Sequence, residues 1–280
     1  MSLPQHWIDL QPGASPGVQD RAFLYGDSLF ETLRYHRHHL HWLDLHLQRL
    51  QMGAQRLDIP FPAAAIDQHL DLAMQWLEQH AIDDACLRLT LSRGISERGY
   101  AAQSDAPLVA VQLSDVPLAW GETPAALELK LCQLRLGLQP TLAGLKHGNR
   151  LEQVLAAREL GKRGAKEGLL LNQREELASA VSANVFVVVD GELLTPPVHE
   201  CGVAGTVRKL VLEQLAVAAC VAAREQVLLL ADLAHAQEMF LTNALFGIRS
   251  VKAFDGHRFT STAMGDNLRR LFIERSESCP

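Results

Sequence analysis

The stretch Leu142-Ala-Gly-Leu-Lys-His-Gly-Asn-Arg-Leu-Glu152 decides how this 280-residue chain is interpreted. Its lysine, Lys146, is one of six in the chain, and the first 129 residues contain none. It follows an apolar approach that contains a glycine, and it precedes a run, 150–160, with the pattern of a helix. An amine at such a junction can be partly desolvated, which lowers its pKa and makes it a nucleophile toward carbonyl carbons. On position alone, a solvated loop lysine is the commoner alternative.

Two further features are typical of phosphate binding. Gly202-Val-Ala-Gly-Thr-Val-Arg208 is a glycine-bearing turn that leads into a predicted helix, where backbone N–H groups and the helix dipole favour an anion. Arg49 lies off the leucine stripe of the predicted 42–57 helix, so it is either a phosphate partner or a solvated charge. An ordinary glycine-containing helix entry is the alternative for the turn. Lysine, turn and arginine together describe a pyridoxal 5′-phosphate site, although spacing alone does not identify that cofactor.

Composition limits the classes of partner. Hydrophobic residues make up 48% of the chain and charged residues 21%, as in ordinary globular proteins. A net charge of −6 gives no reason to expect a nucleic-acid or membrane partner. The five cysteines are scattered without metal-ligand spacing, and the first residues lack the pattern of a signal peptide. We therefore expect a reduced, cytoplasmic protein.

Hydrophobic periodicity predicts an α/β (α+β) chain of two domains. We expect an N-terminal α/β domain at 1–116, a linker at 117–125 that is rich in proline and glycine, and a C-terminal cofactor-binding domain at 126–280. An Asp-Gly pair between two apolar runs predicts a β-hairpin over 184–196. The other predicted strands are 28–35, 87–92, 108–113, 127–136, 168–171 and 238–242, and the predicted helices are 42–57, 63–80, 150–160 and 207–223.

The histidine-rich segment Tyr35-His-Arg-His-His-Leu-His41 suggests a metal site at first sight. Neither a carboxylate nor a cysteine completes a ligand set in this segment. We therefore expect no metal, and a solvated hairpin tip between a strand and a helix.

Five segments resemble the aminodeoxychorismate lyase family of fold-type IV pyridoxal-phosphate enzymes, which are related to branched-chain and D-amino-acid aminotransferases. These segments are 20–34, 46–50, 145–153, 201–208 and 240–248. The resemblance implies a smaller N-terminal α/β domain, a larger barrel-like C-terminal domain, and a homodimer with its active sites near the domain and subunit interface. The residues that it assigns to the cofactor are Lys146 as the Schiff-base lysine, Arg49 and the Thr206 and Val207 amides at the phosphate, and Asn243 and Ala244 nearby.

The resemblance also implies a reaction, the conversion of 4-amino-4-deoxychorismate to 4-aminobenzoate and pyruvate in folate biosynthesis. Lys146 is then the catalytic acid and base, with the Thr32 hydroxyl as a hydrogen-bonding helper. One position departs from the family pattern, because Ser179 stands where a glutamate usually contacts the pyridine nitrogen. A ring without that carboxylate is a weaker electron sink, which favours a lyase over a transaminase. A D- or branched-chain amino-acid aminotransferase and a degenerate, non-catalytic homologue stay open as alternatives.

Overall fold

The structure is a computed structural model that describes residues 5–101 and 104–278. The chain divides into two compact units. Unit 1 comprises 1–120 together with 146–149, and unit 2 comprises 121–145 together with 150–280. The lysine segment 146–149 belongs to unit 1, although it follows the first part of unit 2 in the chain. The predicted domains were two continuous ranges and therefore did not include this return. The linker bounds of 117–125 stay a prediction.

Unit 1 is a six-stranded sheet with two long helices. The strand order is β2-β1-β6-β5-β3-β4, with β3, β5 and β6 paired antiparallel along their length. Helix α2 packs on β3 and α3 packs on β6 through apolar faces, which include Leu50, Ile66 and Leu77. The bounds are β1 Gln5–Ile8, β2 Gln11–Pro12, α1 Arg21–Tyr25, β3 Ser28–His36, β4 His39–Leu40, α2 Leu43–Arg56, α3 Ala63–Gln79, β5 Asp84–Ser92 and β6 Leu108–Ser114.

Unit 2 is built on a nine-stranded mixed sheet. The order is β12-β11-β10-β13-β14-β7-β8-β9, and β15 pairs with β14. Helix α4 packs on β7 and α7 packs on β14. The bounds are β7 Leu127–Leu136, α4 Leu151–Lys162, β8 Gly168–Asn172, β9 Leu177–Ala180, β10 Asn184–Val189, β11 Glu192–Thr195, α5 Thr206–Leu210, a π-helical turn Val211–Leu215, α6 Ala216–Ala218, β12 Ala223–Glu225, a 3₁₀ turn Asp232–His235, β13 Glu238–Asn243, β14 Gly247–Phe254, β15 His257–Arg258 and α7 Ala263–Ser278.

Most of the predicted elements are confirmed to within three residues at each end, but the helix predicted at 207–223 is wrong at its C-terminal end. The helical run stops at Ala218, and Cys220 takes a positive φ of 55°. The alanine-rich sequence carries no local stop signal, so its helix propensity predicts continuation. Pairing of Ala223 with Leu193 in the parallel ladder of β11 and β12 overrides that propensity. Strands β1, β2, β4, β9, β12, β14 and β15 and helices α1 and α7 were not predicted.

The histidine-rich segment is only partly a solvated tip. His38 and His39 are exposed at the turn between β3 and β4. His36 is half-buried and its Nδ1 lies 3.0 Å from Asp84 Oδ1, while His41 is buried and stacks on Trp120 with ring centroids 4.1 Å apart. These contacts are made by residues distant in sequence, which a local pattern does not predict.

Within the described ranges, no helix is long and apolar enough to cross a membrane. In the same ranges, no three His, Cys, Asp or Glu side chains come together as a metal site.

Candidate active site

Lys146 belongs to a short segment that extends the sheet of unit 1. The Phe30 N–H donates to the Lys146 carbonyl oxygen at 2.9 Å, and the Gly148 N–H donates to the Ser28 carbonyl oxygen at 2.8 Å. An antiparallel bridge joins Leu29 to His147 between them. The backbone of the predicted nucleophile is therefore fixed to the edge of β3 rather than carried on a free loop.

The side chain of Lys146 points at an aromatic ring on that same strand. Its Nζ lies 4.4 Å from the centroid of the Phe30 ring. The Arg88 guanidinium lies 3.8 Å from the centroid of the same ring. A cation over an aromatic face is attracted by the ring quadrupole, by about 0.5–1 kcal/mol at exposed sites. One phenylalanine ring thus contacts both an amine and a guanidinium.

Strand alternation explains which side chains share this face. Phe30, Thr32 and Arg34 are two residues apart along β3, so they project from one face of the sheet. The cross-strand partner of Thr32 on β5 is Arg88. Thr32 is half-buried there, beside Arg88. Arg88 could not be predicted as part of this face, because an isolated arginine in an apolar run carries no local signal.

The opposite face of β3 carries a buried charge cluster. Glu31 accepts hydrogen bonds from Arg49 Nε at 2.8 Å, from Arg49 Nη2 and from His46 Nδ1 at 2.6 Å. Burial raises the pKa of Glu31, but the Arg49 guanidinium and the two donors outweigh it and hold that pKa at about 2. Burial lowers the pKa of His46, while the hydrogen bond and the charge of Glu31 oppose the shift.

This cluster changes how Arg49 is understood. The sequence predicts Arg49 as a phosphate partner, and it predicts no role for Glu31 or His46. In the structure, Glu31 engages Nε and Nη2 and so orients the guanidinium. These are two of the five N–H donors that an arginine has. Spacing in the sequence could have suggested His46 and Arg49 as one helix face, but not their meeting with Glu31.

In unit 2, the glycine-bearing turn is built against β10. A Cβ at Gly205 would lie 2.0 Å from Asn184 Oδ1, so this close approach requires glycine. Asn184 Nδ2 donates to the Val203 carbonyl oxygen at 2.9 Å. The first helical residues, Thr206 and Val207, are buried. The turn is thus held by the core strand, and a helix N-terminus opens immediately after it, as the sequence predicts.

The remaining predicted site residues also lie in unit 2. Ser179 is buried on β9 and pairs with Leu170 of β8. Asn243 Oδ1 accepts from the N–H groups of Leu245 and Phe246, both at 3.0 Å, so Asn243 organises the turn between β13 and β14 in which Ala244 lies.

The nearby glutamates have other partners than the Ser179 position. Glu175 pairs with Arg135 at 2.8 Å, and Glu176 accepts from Asn172 Nδ2 at 2.8 Å. The structure therefore gives both carboxylates a role in the loop between β8 and β9. It does not place a substitute acid on the buried stretch that carries Ser179.

Comparison with known proteins gives a consistent result. The model of the amino-transferase class IV family matches residues 28–254. The aminodeoxychorismate lyase of Vibrio harveyi is 32% identical over 251 residues, which cover 88% of this chain and 89% of that protein. The crystal structure of 4-amino-4-deoxychorismate lyase from Pseudomonas aeruginosa superposes with a TM-score of 0.87 at 37% identity, over 96% of this chain and 98% of that one. A hypothetical aminotransferase from Mycobacterium tuberculosis in its PLP-bound form shares the fold, with a TM-score of 0.81 at 24% identity over 97% and 98% of the chains.

Proposed function

The chain belongs to the amino-transferase class IV family, whose enzymes depend on pyridoxal phosphate, and from this premise we propose that it converts 4-amino-4-deoxychorismate to 4-aminobenzoate and pyruvate. The observation that carries the proposal is the pair of cations on one ring, Lys146 and Arg88 on Phe30. A substrate with an amine and carboxylates needs an amine exchange partner and an anion partner within one site, and both groups contact the same ring. The two lyases in the comparisons, at 32% and 37% identity over most of the chain, support the same choice.

The residues present fit the cofactor. A primary amine is fixed on a strand edge, a guanidinium is oriented by a buried carboxylate, and a helix N-terminus follows a glycine turn. We assign the carbonyl carbon of the cofactor to Lys146 and its phosphate to Arg49 and the amides of Thr206 and Val207. We assign its pyridine nitrogen to the neighbourhood of Ser179, and Asn243 and Ala244 to its surroundings. When bound, pyridoxal phosphate supplies an aldehyde that captures amines and a ring that withdraws electrons.

The chain's own residues then move one proton and hold the substrate. Lys146 Nζ takes the proton from ring C4 of the substrate, and the bond between the ring and the enolpyruvyl oxygen breaks. Lys146 returns a proton to the methylene carbon of the departing enolpyruvate, which becomes pyruvate. Atoms and electrons balance without an oxidant. Thr32 donates a hydrogen bond on the same face, and Arg88 binds a substrate carboxylate as a bidentate donor.

We also propose that the active form is a cytoplasmic homodimer. Helix α4 exposes an apolar stripe in which Leu151, Val154 and Leu155 are 69%, 49% and 45% exposed. Spacing of three and four residues places these side chains on one helix face. A contiguous exposed apolar surface of this kind is typical of an interaction site. Light scattering coupled to gel filtration measures the mass, and a fully active monomer contradicts this part of the proposal.

The deciding experiment couples pyruvate release to lactate dehydrogenase while the fluorescence of 4-aminobenzoate is followed. We expect equal amounts of both products from protein loaded with pyridoxal phosphate. Borohydride reduction followed by peptide mapping should place the cofactor on Lys146, and modification of another lysine contradicts the assignment. A protein that never takes up the cofactor favours the non-catalytic alternative.

The aminotransferase alternative has its own signature, and the fold shared with an aminotransferase is the observation that keeps it. Amino acids added without a keto acid convert an aminotransferase to the form that absorbs as pyridoxamine phosphate. The lyase proposal predicts an unchanged spectrum with branched-chain or D-amino acids. Conversion of the spectrum, together with no release of pyruvate, overturns the proposal in favour of that alternative.

A further inference from the structure

The edge of β3 is shared between two partners. Strand β4 pairs only with the C-terminal end of β3, at Tyr35 and His36. The N-terminal end of the same edge is occupied by the segment 146–149, through the bonds of Phe30 to Lys146 and of Gly148 to Ser28. The lysine segment therefore acts as a short extra strand, and its register against β3 sets where the Lys146 backbone lies.

Two glycines make this pairing unusually close. A Cβ at Gly148 would lie 2.4 Å from Ser28 Oγ and 3.0 Å from the Gly26 carbonyl oxygen. Gly26 itself has a φ of +66°, and a Cβ there would lie 2.4 Å from Asn149 Oδ1. Asn149 Nδ2 donates to the Gly26 carbonyl oxygen at 3.3 Å. The backbone of the lysine segment thus meets the entry to β3 with no space for a side chain on either glycine.

We propose that Gly148 is a positioning residue for Lys146, and that its contact with Ser28 and Gly26 sets the position of the Lys146 amine over Phe30. This inference rests on the proposed function to the extent that Lys146 is the reactive lysine. A lysine side chain has four rotatable bonds, so a defined amine position requires a defined backbone. Displacement of a reacting group by about 1 Å can cost on the order of 10²-fold in rate. Gly148 lies two residues from Lys146 and on the same paired stretch, so a shift at one moves the other.

A second substitution at Ser28 should reverse the effect of adding a side chain at Gly148. The closest approach to a Cβ at 148 is a side-chain atom, Ser28 Oγ, and the next is a backbone oxygen at 3.0 Å. Gly148→Ala should therefore push the segment away from β3, and Ser28→Gly should remove most of the conflict. A double-mutant cycle separates this contact from general damage, because residues in contact couple and distant ones add.

The experiment uses four proteins besides the wild type: Gly148→Ala, Ser28→Gly, the double variant, and Gly161→Ala as a control. Gly161 lies in α4, and a Cβ there meets nothing within 4 Å. The first measurement is amide hydrogen exchange at Phe30 and Gly148 in cofactor-free protein. The second is the visible absorbance of the bound cofactor as a function of pH. The third is kcat and KM in the coupled assay.

We expect Gly148→Ala to exchange both amides faster, to shift the pH at which the absorbance changes, and to lower kcat about 10- to 100-fold with little change in KM. The kcat of the double variant should return to within about threefold of the wild-type value. Gly161→Ala should match the wild type in all three measurements. Unchanged exchange and spectrum in Gly148→Ala overturn the inference, as does a double variant no better than the single one.

The failure of the proposed function is distinguishable from this result. If aminodeoxychorismate is not turned over, the absorbance titration still reports the position of the Lys146 amine. If no cofactor binds at all, amide exchange still reports the docking of the segment on β3. A loss of unfolding stability equal in Gly148→Ala and the double variant, with an unshifted spectrum, identifies a merely structural glycine and overturns the inference.

Discussion

The two faces of β3 both carry charged side chains, but the surroundings of those side chains differ. On one face, Glu31 is buried and bonded to Arg49 and His46, so its charge is compensated and its geometry is fixed. On the other face, Lys146 and Arg88 both lie against the Phe30 ring. A strand alternates its side chains, so one nine-residue segment can anchor a helix and present reactive groups at once. Glu31 on the buried face orients Arg49, which we propose as the phosphate partner, and the other face carries the contacts of Lys146 and Arg88 with Phe30.

The largest expected effect comes from the face of β3 that carries Phe30 and contacts Lys146 and Arg88, which we call the reactive face. Lys146→Ala should lower pyruvate release by at least about 10³-fold, because one amine both holds the cofactor and moves the proton. Lys166→Ala is the matched control, since Lys166 is exposed on a turn of unit 2. Turnover by the coupled assay and borohydride capture of the cofactor measure the effect. Retention of one tenth of wild-type activity in Lys146→Ala would remove Lys146 from the mechanism.

A substitution on the buried face of β3, at Glu31, should lower the free energy of unfolding more than it lowers the rate of turnover. Glu31→Gln leaves the Arg49 charge without its carboxylate, and breaking a buried ion pair on one side costs roughly 3–5 kcal/mol. Urea denaturation of the cofactor-free protein measures the change in the free energy of unfolding. Glu175→Gln is the control, because its pair with Arg135 is on the surface and should change stability much less than Glu31→Gln does. Equal effects of the two changes contradict the contrast between buried and exposed pairs.

Arg88 tests whether the reactive face binds an anion. Arg88→Gln should raise KM for aminodeoxychorismate about 10- to 100-fold, since a charge-assisted bidentate pair is worth roughly 1.5–3 kcal/mol. Cofactor capture by Lys146 should persist, because the Lys146 contact with Phe30 does not involve Arg88. Arg88→Lys should recover part of the affinity, because it keeps the charge and loses the fork. An unchanged KM in Arg88→Gln assigns the substrate carboxylate elsewhere.

The smallest expected effect lies at the end of the reactive face, where Arg34 and His41 both lie against Trp120. Burial, then the charges of His36, Arg34 and His39, lower the pKa of His41 to about 4, while Asp84 opposes the shift.

The sign follows from which state binds the proton. A histidine in the unfolded chain takes up a proton near pH 6.5, and His41 in the folded chain resists it until about pH 4. The contribution of neutral, buried His41 to the free energy of unfolding is therefore complete above about pH 6.5 and is lost as the pH falls toward 4. We expect a loss of about 1–2 kcal/mol after solvent screening. Urea midpoints for wild type and His41→Phe between pH 7 and pH 4 measure it, and parallel curves contradict the assignment.

Local chemistry explains which elements could be predicted. Leucines at helical spacing place α2 and α3, and the predicted helices 42–57 and 63–80 agree with Leu43–Arg56 and Ala63–Gln79. The hairpin at Asp190-Gly191 is confirmed, and both residues take the positive φ of 49° and 81° that such a turn requires. The missed strands β9, β14 and β15 each pair with a strand adjacent in the chain, and β14 also pairs in parallel with the distant strand β7. A strand without strong alternation is decided by its neighbours, which local patterns do not contain.

The candidate site divides in the same way. Motif resemblance predicts roles for Lys146, Arg49 and the glycine turn, because those segments carry their chemistry in consecutive residues. Glu31 and Arg88 were missed, because each acquires a role only from a partner in space: Glu31 from Arg49 across 18 positions, and Arg88 from Phe30 on the neighbouring strand. The departure at Ser179 was visible in the sequence, and its consequence for the reaction stays a prediction.

By itself the sequence determined the family and the elements with strong periodicity and predicted Lys146 as the reactive lysine, since these depend on residue types at short spacing. Only the tertiary structure decided where that lysine lies. Its backbone is held by hydrogen bonds to β3, more than 110 positions earlier in the chain, and by glycines that leave no room for a Cβ. Such a contact depends on distances between backbones, and those are set by the packing of the whole unit rather than by any local run of residues.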